Sequence, residues 1–521
     1  MSTTKKDIEN ALMRGADSLR DTIDAANYKD YVLPLMFIKY LSDTYTEKVQ
    51  ELEKEYEGVR LERQKRYLPF TVAQDCSFST LYEQRYSDNI GQLINMAMRQ
   101  IENDNNQQLA GVLNTTDYNS ENALGTREHK NAILRELLED LNPLDLRPSQ
   151  IEVKEGQVPA DVIGDAYEYM IGQFASMAGK KAGSFYTPAA VSEVMARIVA
   201  VKPGDRLYDP TCGSGSLLIK SAKQARSKQI SIYGQEVNGS SVAMAKMNMY
   251  IHEISDAKIA WGDTLANPMF KDDDGNLLTF DAIVANMPFS KDKWAAGFNP
   301  GGESSGKGKK EFKMEATLDK YHRFDWGGPP ASKGDWAFLL HMIASLAVGG
   351  RIAAVAPHGV LFRGAAEGRI RQRVIDENLL DTVIGLPENL FYGTSIPACI
   401  LVFKKGRKNT DVCFIDASRK DENGNFRYVK ASNQNELGAK NIDDIVTAYQ
   451  NRLDVDKFVH VATREEIIQN DYNLNIPRYV DTFEEEAPVD IEAVQQNITR
   501  LKAEIAEAEK QMEAYLKELG L

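Results

Sequence analysis

The stretch Asp281-Ala-Ile-Val-Ala-Asn-Met-Pro-Phe-Ser290 decides the expected fold, because an apolar run leads directly into an asparagine, a proline and an aromatic ring. A continuous run such as 282–285 predicts a strand that is buried on both faces. In open α/β sheets, ligands bind in the crevice beyond the carboxyl ends of the strands. We therefore expect a catalytic tip at that edge, formed by Asn286, Met287, Pro288 and Phe289.

The chain on both sides of this stretch alternates between strand-like and helix-like patterns. Apolar runs predict about seven strands, the last of them antiparallel, at 205–209, 231–236, 258–263, 280–285, 350–356, 380–386 and 398–403. Helical spacing predicts helices at 191–201, 216–222, 241–254, 335–346 and 368–377. This alternation predicts an α/β fold with a Rossmann-like, doubly wound sheet in a domain that spans residues 151–480.

Helical patterns flank this domain on both sides. Residues 8–146 carry apolar side chains at helical spacing, which predicts an all-helical N-terminal domain over residues 1–150. That domain can be a clamp or docking platform, although the sequence alone favours simple packing support. A C-terminal segment, 481–521, is predicted to form a coiled-coil helix for subunit association, since its apolar residues recur in steps of three and four. These residues are Ile491, Val494, Ile498, Leu501, Ile505, Ala508, Met512, Tyr515 and Leu519.

The overall composition excludes several classes of protein. A formal net charge of -14 argues against a protein that grips nucleic acid with its whole surface, so any contact with DNA must be local or shared with another chain. No apolar run is long enough to span a membrane and the start lacks the pattern of a signal peptide, which predicts a cytoplasmic protein without membrane contact. The four scattered cysteines predict buried free thiols, and His341 and His358 lack metal-ligand spacing, so no metal site is expected.

A glycine-rich turn predicts where a cofactor approaches the sheet. The segment Asp209-Pro-Thr-Cys-Gly-Ser-Gly215 lies between the first predicted strand and its helix, where the backbone of doubly wound folds approaches a cofactor. It lacks the glycine spacing of phosphate-binding loops, so an adenosine ligand without a phosphate chain is favoured over NAD or ATP. Such turns also serve as plain tight connections.

Two acids at strand ends support the nucleoside interpretation. Glu236 ends the second predicted strand at the spacing at which a carboxylate accepts hydrogen bonds from ribose hydroxyls. Asp263 ends the next strand and is a candidate acceptor for the exocyclic amine of adenine. Acids in such places are often only helix caps, but two of them behind a glycine turn favour a nucleoside.

Two further segments are candidate ligand contacts. The loop Met177-Ala-Gly-Lys-Lys-Ala-Gly-Ser-Phe-Tyr-Thr-Pro188 is rich in glycine and ends in aromatics. The long polar stretch 291–333 mixes basic residues with Tyr321, Phe324 and Trp326, as nucleic-acid contacts do, although a plain surface insertion explains it equally well.

The chemistry that fits these residues is methyl transfer to an amino nitrogen conjugated with an aromatic ring. The lone pair of such a nitrogen is delocalised, and two oxygen acceptors on its hydrogens pull it towards tetrahedral geometry and stabilise the cation that forms. The Asn286 carboxamide oxygen and a backbone carbonyl supply these acceptors, and Phe289 would stack on a base flipped out of the duplex.

The order of these motifs resembles that of amino-group DNA methyltransferases of the N6-adenine kind. The resemblance is carried by Gly183-Ser-Phe-Tyr-Thr-Pro188, Asp209-Pro-Thr-Cys-Gly-Ser-Gly215, Gly234-Gln-Glu236, Gly262-Asp263 and Asn286-Met-Pro-Phe289. The chain is more specifically similar to the modification (M) subunit of type I restriction-modification systems. That similarity is carried by 28–43, by Lys333-Gly-Asp-Trp-Ala-Phe338 and by Leu386-Pro-Glu-Asn-Leu-Phe391, so it covers nearly the whole chain.

This resemblance implies a cofactor and a set of partners. The methyl donor would be S-adenosylmethionine, held by Ser184, Phe185, Tyr186, Thr187, Pro188, Ala189, Asp209, Cys212, Gly213, Ser214, Gly215, Glu236 and Asp263. The implied partners are DNA, a specificity (S) subunit that reads the target sequence, a second copy of this chain joined through that subunit, and a restriction (R) subunit.

One residue departs from the family pattern, and two alternative functions stay open. The family usually has proline where this chain has Met287, which still supplies the backbone carbonyl but lacks the fixed φ angle of proline. We expect a functional tip that is slower or more mobile. A protein methyltransferase acting on glutamine side chains uses the same chemistry, and a catalytically weak scaffold would keep the fold only to hold a specificity subunit.

Overall fold

The computed structural model describes residues 2–179, 186–298, 314–391, 394–421, 423–430, 434–481 and 491–518. The chain divides into two compact units, Met1–Val480 and Asp481–Leu521. In the first unit, a helical region precedes a mixed sheet with helices packed on it. No helix of the described residues combines the length and apolar character needed to cross a membrane.

The N-terminal region is helical, as predicted. Its helices are α1 (Lys5–Asp17), α2 (Tyr28–Glu55), α3 (Gly58–Lys65), α4 (Phe78–Glu83), α5 (Ile90–Asp104), α6 (Asn106–Leu109), α7 (Glu121–Leu124), α8 (Arg127–Leu141) and α9 (Pro159–Ala178). The first of them begins at a capping box, in which Thr4 and Asp7 each accept the other's backbone N–H. The central helix, α2, is buried continuously from Tyr31 to Leu41, so this region has a substantial apolar core of its own.

The strands lie, in chain order, at β1 (Arg206–Asp209), β2 (Ser231–Glu236), β3 (Lys258–Trp261), β4 (Phe280–Asn286), β5 (Leu346–Pro357), β6 (Leu380–Gly385), β7 (Ala398–Lys404), β8 (Val412–Asp416), β9 (Val429–Lys430), β10 (Asn435–Glu436) and β11 (Val459–Ala462). Among the described residues, nine of them form one sheet in the order β11-β8-β6-β7-β5-β4-β1-β2-β3, and β9 pairs with β10. The expected count of about seven is therefore too low. The sheet strands that were not predicted are β8 and β11, of five and four residues, which lie together at one edge of the sheet.

The remaining helices are α10 (Ala189–Val199), α11 (Ser216–Lys223), α12 (Gly239–Ile251), α13 (Asp335–Ala344), α14 (Ala365–Asp376), α15 (Ala439–Asn451), α16 (Arg464–Gln469) and α17 (Ile491–Glu518). Short 3-10 turns lie at Ala25–Asn27, Gln74–Cys76, Pro148–Gln150, Trp294–Phe298, Ala316–Leu318, His358–Leu361 and Ile476–Arg478. The alternation of strand and helix after residue 205 is thus confirmed, with element ends that differ by a few residues from those predicted.

The strand that ends at Asn286 is central in the sheet. β4 lies between β1 and β5 and is parallel to both, and β2 and β3 continue in the same direction. Residues 282–286 are all buried, as the uninterrupted apolar run predicted. The carboxyl ends of β1, β2, β3 and β4 consequently meet at one edge. β7 is antiparallel to both of its neighbours, also as predicted.

The helical region and the sheet share a core through α12. Met244, Met247 and Tyr250 of this helix belong to the same buried cluster as α2. The rings of Tyr250 and Phe37 meet edge to face with centroids 5.8 Å apart. Because α12 follows directly from β2, this packing sets the beginning of α2 beside the carboxyl edge of the sheet.

The second unit contains α17, a helix of 28 residues. Its predicted seam falls on one face at helical spacing, and the described apolar side chains of that seam are exposed. They are Val494, Ile498, Leu501, Ile505, Ala508, Met512 and Tyr515. A helix is therefore confirmed, while the partner of its apolar face stays a prediction.

Candidate active site

The glycine turn after β1 presents its backbone, not its cysteine side chain, to the space above the sheet. Gly213 and Gly215 have φ angles of 51° and 77°, which favour glycine. The Cys212 N–H donates to the carbonyl of Gln235 at 3.0 Å. The thiol of Cys212 points towards the sheet, where a Cβ on Gly234 would lie 2.9 Å from the sulfur. The turn can therefore bring main-chain atoms close to a ligand.

Glu236 connects two loops at the end of β2. Its two carboxylate oxygens accept the backbone N–H groups of Gly213 at 3.1 Å and Asn238 at 2.8 Å. The carboxylate is thereby fixed at the rim of the crevice, where it keeps further lone pairs for a ligand.

Asp263 caps its own turn. One of its oxygens accepts the N–H groups of Leu265 at 2.9 Å and Ala266 at 3.2 Å. Capping and ligand binding are compatible here, because a carboxylate offers about four acceptor sites. The side chain also lines a cavity, as described below.

Asp209 is the buried acid of the site, with 2% of its surface exposed. It accepts the Thr211 N–H at 2.8 Å. Burial raises the pKa of Asp209 to about 8, and the nearby charge of Glu236 acts in the same direction. A cationic ligand would reverse this effect and favour the carboxylate.

Asn286 ends β4 with a carboxamide that is buried yet unpaired. The residue is 8% exposed, and neither its oxygen nor its nitrogen has a hydrogen-bond partner within the described part of the chain. An unsatisfied buried polar group costs about 1–3 kcal/mol, so native proteins rarely keep one without a functional reason. The amide is thus available to a ligand.

Two cavities meet at Asn286. The first cavity is lined by Ala26, Lys29, Ile171, Phe174, Ala175, Ala178, Tyr186, Thr187, Asp209, Thr211, Cys212, Gly213, Ser214, Ser216, Leu217, Ser241, Met244 and Asn286. The second cavity is lined by Pro210, Thr211, Gly213, Glu236, Val237, Asn238, Gly262, Asp263, Thr264, Asn286, Pro288, Lys291 and Phe338. Thr211, Gly213 and Asn286 line both, so an elongated ligand can pass the asparagine from one to the other.

The residues that follow Asn286 contact the protein on two sides. Met287 is fully buried, and the half-buried ring of Phe289 meets Phe391 edge to face at 5.9 Å. Ser290 has a φ angle of 50°, and its N–H donates to a carboxylate oxygen of Asp335 at 2.6 Å. The other oxygen of this fully buried acid pairs with Arg363 at 3.0 Å. The acid at the start of α13 therefore fixes the end of the tip.

The structure brings together most of the site residues expected from the sequence. Tyr186, Thr187, Asp209, Cys212, Gly213 and Ser214 line the first cavity, and Glu236, Asp263 and Pro288 line the second. Pro188 and Ala189 begin α10 and line neither cavity, nor do Gly215, Met287 and Phe289. Ser184 and Phe185 lie outside the described residues.

The aromatic residues of the stretch 291–333 do not all suit nucleic-acid contact. Phe324 is fully buried and packs against Trp294 and Phe298, with ring centroids 5.4 and 5.9 Å apart. Arg323 is buried as well and pairs with Asp319 at 2.8 Å. The expectation of base stacking therefore fails for Phe324.

Several residues that line the cavities were not predicted from the sequence. Lys29 and Ala26 come from the helical region, and Lys291 and Phe338 follow the tip. The segment that contains Lys29 carried part of the family resemblance, which was the only available signal.

Comparisons with known proteins extend over the whole chain. The model of the N-6 DNA Methylase family matches residues 158–487, and that of the HsdM N-terminal domain matches residues 8–141. The type I restriction enzyme MjaVIII methylase subunit of Methanocaldococcus jannaschii is 31% identical over 99% of this chain and 85% of its own. The MpnII methylase subunit of Mycoplasma pneumoniae is 30% identical over 98% of this chain and 95% of its own.

A solved structure agrees with these relatives. The methyltransferase subunit of the type I restriction-modification system from Streptococcus thermophilus is 35% identical to this chain and superposes with a TM-score of 0.75. The match covers 92% of this chain and 100% of that one.

Proposed function

Because the chain belongs to the N-6 DNA methylase family, as a modification subunit of the type I restriction-modification kind, we propose that it transfers a methyl group from S-adenosylmethionine to N6 of an adenine flipped out of DNA. The observation that carries the proposal is the Asn286 carboxamide, which is buried, has no hydrogen-bond partner in the described ranges of the chain and lines both cavities.

Asn286 and its neighbours act on the amino group of the target base. The carboxamide oxygen of Asn286 and the backbone carbonyl of Met287 accept the two amino hydrogens, which localises the nitrogen lone pair for attack. Phe289 stacks on the flipped ring. No general base is required, since the methylated nitrogen is acidic enough to lose its proton to these acceptors or to water.

The described residues fit the cofactor. S-adenosylmethionine, when bound, supplies a methyl carbon attached to a positively charged sulfur. Glu236 accepts hydrogen bonds from the ribose, Asp263 accepts from the adenine amine, and the glycine turn allows close approach of the backbone. Buried Asp209 lines the first cavity and can balance a positive charge of the amino-acid part of the cofactor, because a neighbouring cation favours its ionised form.

We further propose that other chains decide where the enzyme acts. The net charge of -14 leaves little of the surface suited to phosphate contact, and α17 offers an exposed apolar seam. A specificity subunit would bind two copies of this chain and read the sequence, and a restriction subunit would join the complex. We expect the complex to work in the cytoplasm.

Methyl transfer from radiolabelled S-adenosylmethionine tests the proposal. The chain should label DNA on adenine N6 when it is co-expressed with its specificity subunit, and it should not label glutamine in protein substrates. Label on protein glutamine would favour the alternative substrate, and cofactor binding without any transfer would favour a scaffold.

A further inference from the structure

The helical N-terminal region reaches the first cavity through Lys29, the second residue of α2. The side chain is 22% exposed, and its ammonium lies 2.9 Å from a carboxylate oxygen of Asp30. Lysine has three N–H donors, so the pairing with Asp30 leaves donors for a ligand in the cavity.

The pair of Lys29 and Asp30 is fixed to the methyltransferase sheet. The same oxygen of Asp30 accepts the hydroxyl of Ser240 at 2.5 Å. Ser240 lies in the first turn of α12, the helix that follows Glu236 along the chain. The ammonium of Lys29 is therefore positioned by α12, the helix that also borders the crevice proposed for the cofactor.

The charges of the first cavity match one chemical group. Among its described lining residues, Lys29 and Asp209 are the charged ones, and much of the remaining wall is apolar, including Ile171, Phe174 and Met244. An α-amino acid carries one ammonium and one carboxylate at neutral pH. A cavity with one acid and one base is complementary to that zwitterion.

The two ends of the cofactor can be assigned to the two cavities. Glu236 and Asp263, the candidate ribose and adenine ligands, line the second cavity, and Asn286 lines both. With the nucleoside in the second cavity and the reacting methyl group beside Asn286, the amino-acid end enters the first.

We propose that Lys29 binds the carboxylate of the amino-acid part of S-adenosylmethionine, while Asp209 faces its ammonium group. The cofactor site is then completed by the helical N-terminal region, which is more than packing support. This inference rests on the proposed function, because it presupposes that the cavities hold this cofactor.

Binding of three related ligands to the purified full-length chain tests the inference. S-adenosylhomocysteine carries both the carboxylate and the ammonium, decarboxylated S-adenosylmethionine keeps only the ammonium, and 5′-methylthioadenosine lacks both. Lys29→Met should weaken binding of S-adenosylhomocysteine about 10- to 100-fold, the loss expected for one hydrogen bond to a charged group. Its affinities for the other two ligands should stay within about twofold of the wild type.

Two further variants distinguish the loss of the positive charge at Lys29 from a general disturbance of the fold. Lys29→Arg should keep most of the affinity for S-adenosylhomocysteine, because it retains the cation. Lys54→Met removes an exposed lysine near the other end of α2 and should leave all three affinities unchanged.

An unchanged affinity of Lys29→Met for S-adenosylhomocysteine would overturn the inference, as would an equal loss for all three ligands. Weaker DNA binding with unchanged S-adenosylhomocysteine binding would assign Lys29 to a phosphate instead, and would also overturn it. If the wild-type chain bound none of the three ligands, the proposed function would fail, and this inference with it.

Discussion

At the end of β4, neither polar atom of the Asn286 carboxamide has a hydrogen-bond partner among the described residues, while the next side chain, Met287, is fully buried. The first feature leaves hydrogen-bonding capacity for the proposed substrate at a cost in stability. The second anchors the tip in the core beneath the site. Function and anchoring are thus divided between neighbouring residues.

The cost of the free carboxamide can be measured. Asn286→Leu removes the unsatisfied amide at similar volume, so we expect the free energy of unfolding to rise by about 1 kcal/mol while methyl transfer is lost. Urea unfolding of both proteins without ligand measures the change. A loss of stability above about 1 kcal/mol would mean that the amide has a structural partner.

The burial of Met287 supplies a restraint that the usual proline would otherwise give. We expect Met287→Ala to lower the free energy of unfolding by about 2–5 kcal/mol through the cavity it leaves. Met287→Pro should keep the methyl-transfer rate within about threefold of the wild type, since its carbonyl is retained and its φ is fixed. A much faster Met287→Pro enzyme would show instead that the natural tip is mobile.

At the scale of elements, Asp335 at the start of α13 connects the tip to α14. It accepts the Ser290 N–H and pairs with Arg363, which also pairs with Glu367 at 2.9 Å. Such a network can orient the tip through contacts within the protein alone.

Asp335→Asn should therefore lower kcat about tenfold or more and leave the Kd of S-adenosylhomocysteine unchanged, because a displaced tip misaligns Asn286 but not the cofactor. Asp292→Asn, a change at an exposed acid of the same loop, is the matched control. Equal kcat values for Asp335→Asn and the control would refute this positioning role.

The contact between α9 and α12 contains a buried pair of titratable groups, Glu168 and His252, 3.7 Å apart. Burial raises the pKa of Glu168 to about 7 and lowers the pKa of His252 to about 3, so both neutral forms are favoured. Between about pH 4.5 and about pH 6.5 the folded state holds an extra proton on Glu168 and the unfolded state holds one on His252, so the two contributions to the pH dependence nearly cancel. The pair should therefore raise stability as the pH rises from about 3 to about 4.5, where His252 is charged only in the unfolded state, and should change it little from there to about pH 7.

Glu168→Gln removes the contribution of the acid and leaves that of His252, so the variant should gain stability as the pH rises to about 6.5. We expect the variant to be more stable than the wild type by about 1–3 kcal/mol at pH 8 and of similar stability at pH 4. Denaturant unfolding at both pH values checks this. A variant that is less stable at pH 8 would show that the ionised form has a stabilising partner.

At the scale of the whole molecule, particular residues show what the sequence could predict. The uninterrupted apolar run before Asn286 predicted a strand that is buried on both faces, because such burial gives a continuous apolar stretch in the sequence. Lys29 had no such signature, since its place in the cavity results from the packing of α2 on α12. The prediction of base stacking by Phe324 was wrong for the same reason. The burial of Phe324 depends on its packing against Trp294 and Phe298, which the spacing of apolar residues in the sequence cannot reveal.

The seam of α17 predicts how the molecule assembles. Leu501→Lys with Ile505→Lys should abolish co-purification with the specificity subunit, while binding of S-adenosylhomocysteine stays unchanged, because the changes place charges on an apolar helix face. Ala503→Lys with Glu507→Lys adds two lysines to the opposite face and should preserve assembly. Retained assembly of the first variant would refute the role of the seam.

The most direct test of the central claim is a map of N6-methyladenine in DNA from cells that express this chain with its specificity subunit. The wild-type chain should methylate one recurrent sequence motif. Asn286→Ala should abolish methylation at every copy of that motif, while the protein still folds and binds S-adenosylhomocysteine. Methylation that persists at the motif after this change would contradict the assignment of Asn286 and, with it, the proposed mechanism.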